Sequence, residues 1–166
     1  GKPNSDIITW TRNGNVISGA VSDTYTIVDE DQGCIITANL TYTDNKGTQE
    51  NVFSSNTITV NNKPTGTVEI HYGDSVNAGI RQVDDVLLLN NALDDADGIN
   101  TDSIEYQWIR DNNNISGAVS HTYTIVDDDQ GSIITAKVTY TDGKGVQETV
   151  PSSNSITVNS KPDGTV

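Results

Sequence analysis

An internal repeat constrains this chain more than any other feature of its sequence. A segment that begins at Trp10 recurs from Trp108 onwards without insertion or deletion, at an offset of 108 − 10 = 98 residues. About seven aligned positions in ten are identical. Solenoid repeats span roughly 20 to 50 residues, so this period is too long for one solenoid coil. It fits a whole small domain, and the sequence therefore predicts tandem copies of one fold.

Apolar residues alternate with polar residues in several short segments, such as 68–72, 104–108 and 134–140. A period of two is typical of half-buried antiparallel strands. Clusters of Asn, Asp and Gly separate these segments, as expected of turns. Short strands at a spacing of about 8–12 residues predict an all-β sandwich. Residues 83–98 are the best candidate for a helix, but the apolar run 86–89 fits a central strand that is buried on both faces equally well.

The charge of the chain excludes several functions. The sequence has 23 acidic against 9 basic residues, a formal net charge of −14. Nucleic acid is excluded as a partner because there is no basic surface to neutralise phosphates. No apolar run approaches the roughly 20 residues of a membrane span, so membrane insertion is not expected. The single cysteine, Cys34, excludes an internal disulfide framework.

The order of motifs in the second copy resembles the immunoglobulin (Ig) superfamily. YQW (106–108) resembles the strand that carries a buried tryptophan, TYTIV (122–126) resembles the fifth strand, and DQG (129–131) resembles the corner before the sixth strand. The resemblance implies an antiparallel Greek-key β-sandwich. The two cysteines of the antibody type are absent, and Ile133 stands where a corner tyrosine is expected.

A closer resemblance is to the bacterial Ig-like tandem repeats of large, RTX-type surface adhesins. It is carried by DADG (95–98), YQW (106–108), ISGA (115–118) and YTD (140–142). The resemblance implies an extracellular location on a bacterial cell surface and a part in cell adhesion and biofilm formation. It also implies that neighbouring Ig-like repeats of the same chain are the module's partners.

The repeat is out of phase with the start of a domain. We predict an Ig-like repeat at 1–62 that lacks its first two strands, a complete repeat at 65–160, and the start of a following repeat at 161–166. The linker NNKP (61–64) reaches at most about 14 Å, too short to return along a sandwich, so the strands that follow it belong to the second repeat. We expect the first repeat to borrow strands from another chain, and so to self-associate, or to survive as an open sandwich.

Acidic loops make a calcium site the leading candidate for chemistry. Ca²⁺ takes 6–8 oxygen ligands, largely from carboxylates and carbonyls. Many adhesin repeats stiffen their linkers with Ca²⁺, so the resemblance implies the same here. The alternative is that aspartates in tight turns only serve turn geometry. The candidate ligands are Asp94, Asp95, Asp97 and Asp142 of the second repeat, with Asp29 and Asp31 of the first.

Other residues that could carry function have simpler interpretations. Trp10 and Trp108 could stack on sugars, but their place in an alternating apolar set predicts core positions. His121 is matched by Asp23 in the other copy, so a shared catalytic role is not indicated. No nucleophile–histidine arrangement is evident, and we predict that the chain is not an enzyme.

The leading prediction for function is a structural extender of a cell-surface adhesin, which holds terminal adhesive domains away from the cell. Gapless repetition and a short linker favour this class, and Ca²⁺ at the module junction would stiffen it. Two alternatives remain open at this point. One is a glycan- or protein-binding adhesion module. The other is a self-assembling extracellular filament subunit that uses strand exchange.

Overall fold

The computed structural model describes residues 6–73, 75–76 and 80–160. The chain divides into two compact units, Gly1–Asn62 and Lys63–Val166. The predicted start of a further repeat at 161–166 lies outside the described residues. Helical structure in the described part consists of single 3₁₀ turns, and none of it is long and apolar enough to cross a membrane. These turns are Asp29–Asp31, Thr101–Ser103 and Asp127–Asp129.

The second unit is built from strands in two sheets. In chain order they are β6 (Thr65–Tyr72), β7 (Ser75–Val76), β8 (Ile80–Arg81), β9 (Val86–Asp94), β10 (Glu105–Arg110), β11 (Asn113–Asn114), β12 (Thr122–Thr124), β13 (Ile133–Thr141), β14 (Gln147–Pro151) and β15 (Ile156–Val158). One sheet has the order β12-β9-β6-β7. The other has the order β11-β10-β13-β15-β8, with β14 also paired to β13. All pairs are antiparallel except β15 with β8.

The two sheets enclose one hydrophobic core. Strands β10 and β13 are neighbours in one sheet. Strand β12 lies between them in sequence but belongs to the other sheet, where it pairs with β9. This crossing between the sheets is typical of a Greek key. Alternate residues of each strand point inward, so both sheets contribute apolar side chains. The buried residues of the core are Val68, Ile70, Leu87, Leu89, Trp108, Ile125, Ile134, Ala136, Val138, Ile156 and Val158. The predicted all-β, Ig-like sandwich is confirmed for this unit.

One strand prediction for the second unit needs correction. Within the predicted doubly buried run 86–89, Leu87 and Leu89 are buried but Val86 is 50% exposed. Among the described residues, strand β9 is therefore covered on the face that carries Leu87 and Leu89, whereas Val86 on the other face is exposed. Strands β14 and β15 are separated by a bend at residues 153–154.

The described residues of the first unit form a single sheet. Its strands are β1 (Ile7–Arg12), β2 (Asn15–Val16), β3 (Ile35–Thr43), β4 (Gln49–Phe53) and β5 (Ile58–Thr59), in the order β2-β1-β3-β4 with β5 paired to β3. The sequence Thr-Tyr-Thr occurs at 24–26 and again in β12, but residues 24–26 lie in no strand. The same tripeptide therefore forms a strand in the second unit but not in the first. Strand β12 forms by pairing with β9, and no counterpart of β9 lies among the described residues of the first unit.

Candidate metal centre

Three carboxylates of the second unit meet at one corner of the sandwich, and we call this set the acidic corner. Asp95 follows strand β9, Asp142 follows strand β13, and Glu148 lies on β14. One carboxylate oxygen of each residue lies within 4.8 Å of the others. The exposed fractions of Asp95 and Asp142 are only 5% and 3%. No other group of three His, Cys, Asp or Glu residues converges in this way in the described part of the chain.

Hydrogen bonds fix the two buried aspartates of this corner. Tyr140 donates its hydroxyl to Asp95 Oδ2 at 2.7 Å, and the Asp97 N–H donates to Asp95 Oδ1 at 2.8 Å. Asp142 Oδ1 accepts from the N–H groups of Lys144 at 2.9 Å and Val146 at 2.7 Å. Asp142 Oδ2 is buried and has no hydrogen-bond partner. A buried carboxylate oxygen without a partner is costly, and a bound cation would offset that cost.

The loops that carry these aspartates are held against each other. The Gly143 N–H donates to the carbonyl oxygens of Asp97 at 3.0 Å and Gly98 at 3.2 Å. A Cβ atom at position 143 would lie 2.2 Å from the carbonyl oxygen of Asp97, so the loops approach this closely only because residue 143 is glycine. The first unit has Asn45 at the matching position.

The charges around the acidic corner favour a cation. Burial, and then the hydrogen bond to Asp95, raises the pKa of Tyr140 well above its ordinary value of 10.0, so this hydroxyl stays a neutral donor. The ammonium group of Lys144 contacts Asp97 Oδ1 at 2.6 Å. Three like charges so close together repel one another unless a proton or a cation intervenes. Oxygen-only ligands are those that Ca²⁺ prefers, and carbonyl groups or water would complete the 6–8 ligands it takes.

The structure brings together only some of the predicted ligands. Asp95 and Asp142 meet, whereas exposed Asp94 accepts the N–H of Asp95 at Oδ1 and Asp97 pairs with Lys144. Sequence reasoning missed Glu148. The pairing of β13 with β14 could have indicated it, because Glu148 lies opposite Tyr140 in this hairpin. A hairpin register drawn outward from the TDGKG turn would have placed it there.

Asp29 and Asp31 belong to the first unit, on the turn before strand β3. Asp29 is exposed, but the Asp31 side chain is buried and accepts hydrogen bonds from Arg12 Nε at 2.6 Å and from the Tyr25 hydroxyl at 2.9 Å. Burial raises the pKa of Asp31, but the bonds from the Val28 N–H, Arg12 and Tyr25 outweigh burial and lower this pKa below 3.8. These contacts give Asp31 a structural role in its own unit. Its part in a calcium site between modules stays a prediction.

The second unit repeats this arrangement around Asp129. Its carboxylate accepts hydrogen bonds from Arg110 Nε at 2.6 Å, the Tyr123 hydroxyl at 2.7 Å and the Val126 N–H at 2.8 Å. The hydrogen bond to Asp129 raises the pKa of Arg110. Burial, and then the bond to Asp129, raises the pKa of Tyr123 to about 12. We call each set of arginine, tyrosine and aspartate an Arg–Asp–Tyr cluster.

The sugar-stacking interpretation does not suit Trp108. Its side chain is fully buried, stacks on Tyr123 at 5.5 Å between ring centroids, and donates its indole N–H to the Ser120 carbonyl at 2.8 Å. Both faces and the polar edge of the ring are therefore engaged within the protein. Trp10 makes the matching contacts with Tyr25 and Ser22, but its side chain is only half-buried.

Comparisons with known proteins add a structural likeness. No protein-family model matches the chain, and no curated protein matches it. Among solved structures, the chain is similar to the fibronectin(III)-like modules of Clostridium thermocellum CbhA, with 17% sequence identity and a TM-score of 0.40. The match covers 99% of this chain and 83% of that chain.

Proposed function

We propose that the chain is a non-catalytic spacer built from tandem Ig-like modules. In such a spacer the two copies repeat the contacts that stabilise the fold rather than a binding pocket. The observation that carries this proposal is the repeated Arg–Asp–Tyr cluster. The Arg–Asp and backbone–Asp distances are the same in both units, at 2.6 and 2.8 Å. The Tyr–Asp distances differ by 2.9 − 2.7 = 0.2 Å. The two copies therefore share a structural group built around a buried aspartate, Asp31 in one and Asp129 in the other.

The proposed setting is the outside of a bacterial cell, where such modules hold an adhesive domain away from the surface. The resemblance to adhesin repeats supports this setting, and the net charge of −14 suits an array whose modules must stay apart in solution. Neighbouring Ig-like repeats of the same chain are the proposed partners. Glycan binding is less well supported, because Trp108 is not available to stack on a sugar.

A spacer should be extended, and small-angle X-ray scattering tests this directly. A chain of 166 residues folded into one compact body has a radius of gyration of about 15 Å. We expect a radius of gyration of at least about 20 Å for an extended pair of modules. A radius near 15 Å would contradict the spacer function, because the units would then be folded back against each other.

We further propose that the acidic corner binds Ca²⁺ and stiffens the second unit. Asp95, Asp142 and Glu148 are the proposed protein ligands, and the unpartnered Asp142 Oδ2 is the observation that supports this. The ion would neutralise three clustered charges and hold the loop after β9 to the loop after β13. An ion that binds only the folded state stabilises that state by mass action.

Calcium is expected to raise the stability of the second unit by about 2.7 kcal/mol when its free concentration is a hundred times Kd. Asp142→Asn keeps the oxygen that accepts from Lys144 and Val146 but loses the charge, so it should abolish the gain. In chelator this variant should be at least as stable as the wild type, because one of three repelling charges is gone. Thermal unfolding with Ca²⁺ and with chelator measures both effects.

The first unit supplies a matched control for that experiment. Asp44 forms the same turn as Asp142, accepting from the N–H groups of Lys46 and Thr48 at 2.8 Å each. Asp44→Asn should leave the response to Ca²⁺ unchanged, because no counterpart of Asp95 precedes it in this sequence. Equal responses of the two variants, or a wild type indifferent to chelator, would contradict the calcium proposal and leave the spacer function untouched.

A further inference from the structure

The two units present the same apolar residues with very different exposure. Ile27 and Ile58 of the first unit are 45% and 51% exposed, whereas their counterparts Ile125 and Ile156 are fully buried. Residues on other surfaces do not differ in this way, since Val21 and its counterpart Val119 are 66% and 60% exposed. The difference is therefore confined to one face of the first unit. We call it the open face, and it consists of Trp10, Ile27, Leu40, Val52 and Ile58.

The second unit shows what covers such a face. Every counterpart of an open-face residue there belongs to the core or packs against it. The covering layer is the strand pair β6 and β9, which inserts Val68, Ile70, Leu87 and Leu89. In the first unit the uncovered sheet instead carries a depression of about 320 Å³, whose lining includes Trp10, Leu40 and Val52.

The backbone beside the open face is also set up to pair. In the second unit β12 pairs with β9, with Thr122 opposite Leu88 and Thr124 opposite Val86, and the Leu89 N–H donates to the His121 carbonyl. The first unit has the same Thr-Tyr-Thr sequence at 24–26 outside any strand. An incoming strand in the β9 position would find the same Thr-Tyr-Thr edge with which to pair.

A side-chain clamp provides a second recognition element. In the second unit the Asn154 amide accepts the N–H of Ile70 at 2.7 Å and donates to the carbonyl of the same residue at 2.8 Å. The Ser153 N–H donates to the Val68 carbonyl at 2.8 Å. These contacts hold β6 in register. The first unit has the same residues, Ser55 and Asn56, and both are exposed.

We propose that the open face binds an additional antiparallel strand pair of the β6–β9 type, so that a donated pair completes the first sandwich. The described residues hold two such sheets but a single pair of this kind. A second intact copy has no pair to spare, because its own second unit uses it. The occupant is therefore a further segment that resembles residues 63–94, and this binding goes beyond the spacer role and does not depend on calcium.

The test adds a peptide with the sequence of residues 63–94 to the full chain. The peptide ends at Asp94 because Asn45, unlike Gly143, has a Cβ atom in the place where the following loop would approach. We expect one peptide to bind per chain in titration calorimetry. We also expect the amides of residues 24–26 to become protected from hydrogen exchange, with β12 of the same chain as the internal reference. A peptide with Ile70→Asp and Leu87→Asp should not bind.

Variants of the chain locate the binding surface. Ile58→Asp places a charge under the incoming strands and should weaken binding at least about 100-fold. Asn56→Ala removes two hydrogen bonds and should weaken it about tenfold. Val21 is as exposed as its counterpart Val119 and lies outside the open face. Val21→Asp adds the same charge there, so it should leave the affinity for the peptide unchanged.

A tethered version guards against a peptide that does not stay in solution. Residues 63–94 joined ahead of the chain by a flexible linker of about 10 residues should protect residues 24–26 without added peptide. Failure of both versions to protect these amides would overturn the proposal. So would a chain that dimerises without peptide through a contact that Ile58→Asp abolishes, since the occupant would then be the open face of a second copy.

Discussion

Substitution of Asp129 by alanine is expected to lower the free energy of unfolding of the second unit by about 3–5 kcal/mol. The carboxylate is fully buried and accepts from Arg110, Tyr123 and Val126. Without this carboxylate the Arg110 guanidinium loses its counter-ion. The Tyr123 hydroxyl and the Val126 N–H lose their acceptor, and each buried donor left without a partner costs about 1–3 kcal/mol. The Arg110 side chain is 27% exposed and can recruit water, which favours the lower end of the range.

Asp128 provides the matched control. It lies on the same turn and carries the same charge but is exposed, so Asp128→Ala should change stability by no more than about 0.5 kcal/mol. Denaturant unfolding followed by the indole N–H signal of Trp108 measures the second unit alone, because Trp10 reports on the first. Equal effects of the two variants would show that the buried cluster does not stabilise the unit.

The same cluster has a signature at alkaline pH. The pKa of Tyr123 is raised from 10.0 to about 12 in the folded unit, by burial first and then by Asp129. A raised pKa contributes stability that is complete below pH 10 and is lost as the pH rises through 12. In Asp129→Ala the ring of Tyr123 should ionise closer to pH 10, which NMR of the tyrosine ring measures.

Substitution of Ile156 by aspartate is expected to unfold the second unit or to destabilise it by at least about 4 kcal/mol. Ile156 is fully buried between the two sheets, where a carboxylate would find neither water nor a positive partner. A typical domain is stable by only about 5–15 kcal/mol, so a loss of this size takes up much of the total.

The identical residue of the first unit gives the opposite expectation. Ile58 is 51% exposed, and Ile58→Asp should change the stability of the first unit by no more than about 0.5 kcal/mol. The two indole signals again separate the units within one chain. Similar losses for both variants would show that the open face is covered in solution, and the donated strand pair would then have no place to bind.

Much of the fold is predictable from the sequence because its signals are local. The alternation of apolar residues in 134–140 and the turn residues around it define strand β13 without reference to any other part of the chain. Residues 24–26 show where this kind of prediction fails. The same tripeptide is a strand in one unit and not in the other, since a strand needs a partner that propensity does not supply.

The candidate site was predictable in part for a related reason. Asp95 and Asp142 stand out as turn residues at the ends of two strands, and the structure brings them together. Glu148 lies within a strand and carries no local signal, so only its register opposite Tyr140 places it at the corner. Asp31 shows another limit, because the sequence of an acidic turn does not reveal that Arg12 and Tyr25 donate hydrogen bonds to this carboxylate.

The sequence by itself determined that the chain is all-β, that one module recurs every 98 residues, and that the strand pair after the linker is present once. These properties follow from periodicity and counting, which need no coordinates. Only the tertiary structure decided which apolar residues are buried. Ile58 and Ile156 have the same chemistry, yet one is half in water and the other is not, because burial depends on the layer packed above a residue.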